Sequence, residues 1–173
     1  SSIDEARYKA HLKIVASDLT YDLFMEKMAE MGGIVEEFIE GEIKKSPSVQ
    51  VVINPLKKIE IASTHDQILG GDTGQIYLGA SFPANEEYRK EIGALGFQAA
   101  TYMGSQGVIG RFGIDFVSVK ENDKWKHYAI EVNLRKGGTT HPYLMLQLLT
   151  NGHYDYQSGH YIMPNKQTRY YVA

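Results

Sequence analysis

A chain of 173 residues and 19.4 kDa is long enough for one hydrophobic core and too short for two ordinary ones. Its 43% hydrophobic and 23% charged residues exclude intrinsic disorder, and 18 basic against 21 acidic residues leave a net charge of −3 with no basic block to hold nucleic acid. No apolar run approaches the roughly 20 residues that span a bilayer, so neither nucleic acid nor membrane is expected as a partner. With zero cysteines, disulfides, thiolate metal sites and cysteine nucleophiles are excluded, and a cytoplasmic setting is expected. The opening Ser1-Ser2, without methionine, suggests a piece of a longer protein.

The first periodic segment, Tyr21 to Met31, places Tyr21, Phe24, Met25, Met28 and Met31 at helical spacing. Thr20 can cap it, Gly32-Gly33 can stop it, and the methionine stripe reads as core. Residues 34–39 read as a short strand. Val49 to Ile53 and Lys58 to Ser63 read as strands joined through Asn54-Pro55, and Ile76 to Phe82 as another strand after a glycine-rich loop. A long helix is expected from Pro83–Asn85, with Tyr88, Ile92, Leu95, Ala99, Tyr102 and Met103 on its apolar face. Two strands follow, Phe112 to Lys120 and Trp125 to Asn133, then a helix near Pro142 and a tyrosine-rich terminal hairpin over 153–173. This order predicts an α+β fold with a mostly antiparallel sheet packed against helices.

The strand pair 112–133 carries the chemistry. A turn centred on Asp123 sets Ile114 opposite Val132, Phe116 opposite Ile130 and Ser118 opposite Tyr128 on one apolar face. The other face then holds Asp115 opposite Glu131, with Asn133 opposite Gly113, which leaves open space beside the pair. Facing carboxylates repel unless something neutralises them, and a hard divalent cation such as Mg²⁺ accepts carboxylate, amide and phosphate oxygens. A register slipped by one residue would instead make this an ordinary solvated face. Directly after come Arg135, Lys136, Gly137, Gly138 and Thr139, leading into the helix. Cations, a glycine pair and a helix N-terminus are parts that can hold a transferring phosphate, or an ordinary strand-to-helix loop.

At these residues the chain resembles the C-terminal part of an ATP-grasp ligase. Asp115 on one strand and Glu131-Val132-Asn133-Leu134-Arg135 on its partner match that family's Asp/Glu and Glu-x-Asn-x-Arg signature. The resemblance implies ATP and two Mg²⁺ ions as cofactors, with Asp115, Glu131 and Asn133 as metal ligands and Arg135 on phosphate, assisted by Lys136. It also assigns residues 34–42 as the adenine hinge: Glu36 and the backbone of Glu37 and Ile39 on adenine, Glu42 on ribose. Standing alone, that segment reads as a solvated acidic strand end. More narrowly, Ser63 to Leu69, Gly79 to Ala84 and Leu134 to Pro142 are similar to bacterial carboxylate–amine ligases of the pheganomycin peptide ligase type.

The implied activity is ATP- and Mg-dependent carbon–nitrogen bond formation through an acyl-phosphate, on an acid and an amine such as an amino acid or peptide. By the same likeness His65, Asp66, Gln67, Gly137, Gly138 and Thr139 are substrate-side candidates, His65 more readily a structural residue than a base. No phosphate-binding lysine in a glycine-rich loop precedes Glu36, so residues 1–173 read as a partial ATP-grasp domain. Its parts are the hinge at about 34–42, a metal hairpin at about 112–133, and a terminal helix and hairpin over 142–173. A missing N-terminal part of the same enzyme would be its partner, and the fragment alone could be inactive. Rival readings are an ATP-grasp kinase or thioester ligase, and a non-catalytic nucleotide-binding or protein-interaction fragment whose terminal tyrosines meet a partner.

Overall fold

A computed structural model describes residues 9, 11–14, 18–71 and 74–173. Helix α1 is Tyr21–Met31; the strands that follow are β1 Ile43–Lys45, β2 Pro47–Ile53, β3 Ile59–Gly70 and β4 Ile76–Phe82. Helix α2, Arg89–Ser105, leads to β5 Gly110–Glu121 and β6 Lys124–Asn133. Helix α3, Thr140–Thr150, leads to β7 His153–Asp155, β8 His160–Ile162 and β9 Tyr171–Val172. Among the described residues β7 and β8 pair with each other, and the other seven strands form one antiparallel sheet in the order β1-β5-β2-β3-β4-β9. Both β1 and β2 pair with the same side of β5, and β6 pairs with its other side, which makes β6 an edge strand. The α+β class and the antiparallel sheet packed against helices match the sequence reading.

The strong alternation of β2 buries Val49, Val51 and Ile53 against α2, where they join Phe112, Ile114 and Phe116 of β5. Full burial of each such side chain contributes about 1.5–3 kcal/mol. Helix α2 approaches the sheet through small residues: Gly93, Gly96, Ala100 and Gly104 are buried, whereas Leu95 and Tyr102 are exposed. Of the expected apolar face, Tyr88 and Ile92 are buried and Ala99 and Met103 pack against the core, so the departures are Leu95 and Tyr102. A β-carbon at Gly96 would stand 2.6 Å from Val49 Cγ1, so the helix sits closer than a larger residue allows. The helix also starts at Arg89, later than expected, because residues 86–88 form turns.

Helix α3 and the terminal strands extend this core, and Tyr156 stacks on Phe97 of α2 at 5.9 Å. Phe82 packs against Tyr143, Tyr154, Tyr161 and Tyr171 at ring-centroid distances of 5.1–5.8 Å. The terminal tyrosines thus largely serve the core, although Tyr170 is exposed. Two expectations fail near the start. The 34–39 segment carries no strand pairing and exposes Ile34, Val35 and Phe38. Helix α1 is capped by Thr20, whose Oγ1 accepts from Leu23 N at 3.3 Å, and ends at Gly32, yet none of its residues is buried. Spacing defines its methionine stripe but supplies no opposing face; Met31 is 75% exposed.

Candidate functional site

The β5–β6 hairpin turns through Asn122 and Asp123, both at positive φ (49° and 59°), as a two-residue type I′ loop requires. This turn alone would set Asp115 opposite Ile130. A β-bulge between Asp115 and Phe116 on the β5 side leaves Ile130 unpaired, and the register then advances by one residue. The bulge brings Asp115 opposite Glu131, Ile114 opposite Val132 and Gly113 opposite Asn133, as the alternation predicts. Below it the prediction fails: Phe116 faces Ala129, and Ser118 faces His127, whose Nδ1 lies 2.7 Å from Ser118 Oγ.

Asp115 lies on an interior strand and Glu131 on the edge. Burial pushes the Asp115 carboxyl above its ordinary range; the adjoining Glu131 charge adds to this, while hydrogen bonds from Ser48 and Asn133 act against it. Asn133 Nδ2 donates to Asp115 Oδ2 at 3.0 Å. The space beside Gly113 is not open, as expected, but is filled by the Gln50 amide, 2.9 Å from where a β-carbon would stand. Gln50 Nε2 in turn donates to Ser48 Oγ at 3.0 Å. The acidic pair is thus met by neutral donors, and its excess charge and hard oxygens, with the Asn133 carbonyl, fit an ion such as Mg²⁺. Among the described residues no three Asp, Glu or His side chains gather into a metal cluster, so the fit rests on two carboxylates and an amide.

Two cavities meet at this pair, sharing Gln67, Asp115 and Glu131. The larger, about 1210 Å³, is lined by Glu36, Glu37 and Ile39 on one wall, Tyr128 and Ile130 on another, and Lys44 and Lys45. Lys44 Nζ stands 3.9 Å over the Phe38 ring and so ties the segment around Phe38 to β1. The smaller, about 310 Å³, is lined by Ser48, Gln50, Tyr77, Gly113, Asn133, Arg135, Gly137, Gly138 and Thr139 in addition to the shared residues. The Gly138 backbone lies so near Tyr77 that a β-carbon would fall 2.8 Å from its ring.

The structure therefore brings Glu36, Glu37, Ile39, Gln67, Asp115, Glu131, Asn133, Arg135, Gly137, Gly138 and Thr139 around one continuous space. Glu42 and Lys136 line neither cavity. His65 lies in the sheet interior, with Nε2 3.0 Å from Tyr171 OH, and burial lowers its pKa to about 3. Asp66 turns towards α2, where it accepts from Tyr88 OH and Asn85 N. The sequence reading missed Ser48 and Gln50, although a signal was present: polar residues alternating with Val49, Val51 and Ile53 place a polar row on the face of β2 away from the core. Tyr77, Lys44 and Lys45 carry no such signal, because only pairing and chain path bring them to the cavities.

The family model described as IQCH-like, ATP-grasp matches residues 6–157. The L-propargylglycine–L-glutamate ligase of Streptantibioticus cattleyicolor is 41% identical over 118 residues, covering 68% of this chain; the chain spans only 23% of that enzyme's length. Among solved structures, the biotin carboxylase–beta-gamma-ATP complex from Campylobacter jejuni superposes with a TM-score of 0.56 at 19% identity, over 76% of this chain and 28% of that one. Rhizobium etli pyruvate carboxylase gives a TM-score of 0.51 at 20% identity, over 71% and 11%. These two likenesses concern the fold. With the family model matched across most of its length, this chain belongs to the IQCH-like ATP-grasp family.

Proposed function

We propose that the chain is the metal- and phosphate-holding part of an ATP- and Mg²⁺-dependent carboxylate–amine ligase, similar to the pheganomycin peptide ligase type, acting on amino-acid or peptide substrates. One observation carries this reading: the Asp115–Glu131–Asn133 group stands where a cavity lined by the hinge segment meets one lined by the Arg135–Thr139 loop. ATP would lie in the larger cavity, its adenine against residues 36–39 and its phosphates at the junction. When bound there by Asp115, Glu131 and Asn133, Mg²⁺ supplies charge neutralisation and polarises the γ-phosphate.

The chain's own residues orient the reactants. A substrate carboxylate held in the smaller cavity attacks the γ-phosphorus, ADP leaves, and an acyl-phosphate forms. The amine then attacks the acyl carbon, inorganic phosphate leaves, and a proton is lost to give the amide. Arg135 at the cavity rim opposes the negative charge gathered on the transferred group. The Gly137 N–H already donates to Thr140 Oγ1 at 3.2 Å, which fixes the loop instead of serving phosphate.

Trapping with hydroxylamine tests the chemistry. Incubated with ATP, Mg²⁺ and candidate acids, the enzyme should give an acid hydroxamate together with ADP, and Asp115→Asn should abolish both. ATP turnover with no acid requirement, or phosphate delivered to an alcohol, would contradict the ligase reading.

A further inference from the structure

Residues 128 and 131 lie three apart on β6, and an unbroken strand would send them to opposite faces. Both Tyr128 and Glu131 nevertheless line the larger cavity. The bulge at Ile130 makes this possible, because it changes the register by one residue between them. Above the bulge, Asn133 Nδ2 on Asp115 Oδ2 at 3.0 Å helps to hold Asp115 opposite Glu131 and Ile114 opposite Val132. The pairing below it has a competitor. A bulge-free register, the one that alternation predicts, keeps Asp115 opposite Glu131 but sets Phe116 opposite Ile130 and Ser118 opposite Tyr128. Tyr128 would then turn with Ser118 towards α2 and leave the cavity wall. As an edge strand, β6 has pairing on one side only to resist that slip.

Side chains facing α2 oppose the slip. Ser118 is fully buried, and its Oγ lies 2.7 Å from His127 Nδ1. His127 Nε2 lies 3.2 Å from Glu91 Oε2 in the first turn of α2. A carboxylate only accepts, so Nε2 carries a hydrogen, and Nδ1 of the neutral ring accepts from the serine hydroxyl. Both nitrogens of a side chain that is 5% exposed are thus in use. Two residues earlier, Trp125 Nε1 donates to Glu87 Oε2 at 2.9 Å, and its ring meets Tyr88 edge-on at 4.6 Å. In the competing register His127 would stand opposite Val119 and Trp125 opposite Glu121, both turned away from α2. The Ser118 hydroxyl would be left buried and unpaired, which is destabilising. We propose that the Ser118–His127–Glu91 contact, seconded by Trp125, locks the lower register of β6. His127 is thereby a positioning residue that keeps Tyr128 on the wall of the nucleotide cavity, although none of these four contacts lines either cavity. This assignment rests on the metal–nucleotide reading and adds what holds its edge strand in place.

Cross-strand backbone NOEs on the whole chain read the pairing directly, and calorimetry with a non-hydrolysable ATP analogue reads its consequence. His127→Thr, which suits a strand on either face, should populate the Ser118–Tyr128 pair while Ile114 stays opposite Val132. Emission of Trp125, the single tryptophan, should shift to the red as its ring leaves Tyr88. Nucleotide affinity should fall about fivefold or more, with the Mg²⁺ requirement kept because Asp115 and Glu131 have not moved. Glu91→Ala, at an exposed side chain, should act in the same direction. Glu91→Gln, whose amide oxygen still accepts from Nε2, should match the wild type. These two variants decide the matter if His127→Thr does not fold. The proposal falls if positions 118 and 127 stay paired in His127→Thr and Glu91→Ala, or if the pairing shifts and affinity does not. It falls equally if the Mg²⁺ requirement is lost with the affinity, or if Glu91→Gln loses as much as Glu91→Ala. A shifted pairing in a protein whose wild type binds no Mg–nucleotide would keep the register lock and remove the nucleotide reading.

Discussion

Strands β5 and β6 carry the two halves of one carboxylate pair in opposite surroundings. Strand β5 is paired on both sides and buries Phe112, Ile114 and Phe116; β6 lies at the sheet edge with Tyr128, Ile130 and Val132 exposed. Asp115 is consequently fixed, desolvated and held by Ser48 and Asn133, whereas Glu131 stands in the open on a bulged strand. In the proposed metal site the buried carboxylate would set the position of a cation and the exposed one would follow it. The difference also predicts where stability and function separate.

The largest expected effect is on the buried strand. Ile114→Ala should cost about 2–5 kcal/mol in urea unfolding, because the core there cannot collapse into the space. Gly96→Val should cost about 1–3 kcal/mol, since the added carbons push α2 away from Val49. A third effect is read in pH. His65 has its pKa lowered from 6.5 to about 3 by burial, so between those values the unfolded chain binds a proton that the folded chain refuses. Its contribution is whole above pH 6.5 and falls by about 1.4 kcal/mol per unit as the pH drops towards 3. Unfolding free energies of wild type and His65→Gln, measured at pH 7, 5 and 4, should differ by that slope. The smallest effect belongs to the edge: Ile130→Ala should stay within about 1 kcal/mol. An Ile130 loss as large as that of Ile114 would break the distinction between the two strands.

Most of the sheet was legible because its strands alternate, and the acidic face of the β5–β6 hairpin was legible for the same reason. Its exact pairing is subtler. The two-residue turn and the bulge at Ile130 displace the register in opposite senses, so Asp115 meets Glu131 although Phe116 and Ser118 meet partners other than those the alternation assigns. A bulge leaves no mark in hydrophobic periodicity. On helix α2 the expected face held at Tyr88, Ile92, Ala99 and Met103 and failed at Leu95 and Tyr102; its buried glycines went unread because glycine scores as nothing in an apolar pattern, yet close packing on Val49 selects it. The α1 stripe shows the converse: periodicity gives a helix and its apolar face, and cannot say what lies opposite. The assignment of residues 34–42 as a hinge rests on resemblance alone, for Ile34 to Ile39 form no regular pairing.

The central claim is that Asp115 and Glu131 together make the metal–nucleotide junction. Calorimetric titration with a non-hydrolysable ATP analogue, with and without Mg²⁺, tests it most directly when wild type is compared with the Asp115→Asn, Glu131→Gln double variant. Binding that requires Mg²⁺ and disappears in the double variant is the predicted result. Equal affinity in the two proteins, or binding indifferent to Mg²⁺, would contradict it.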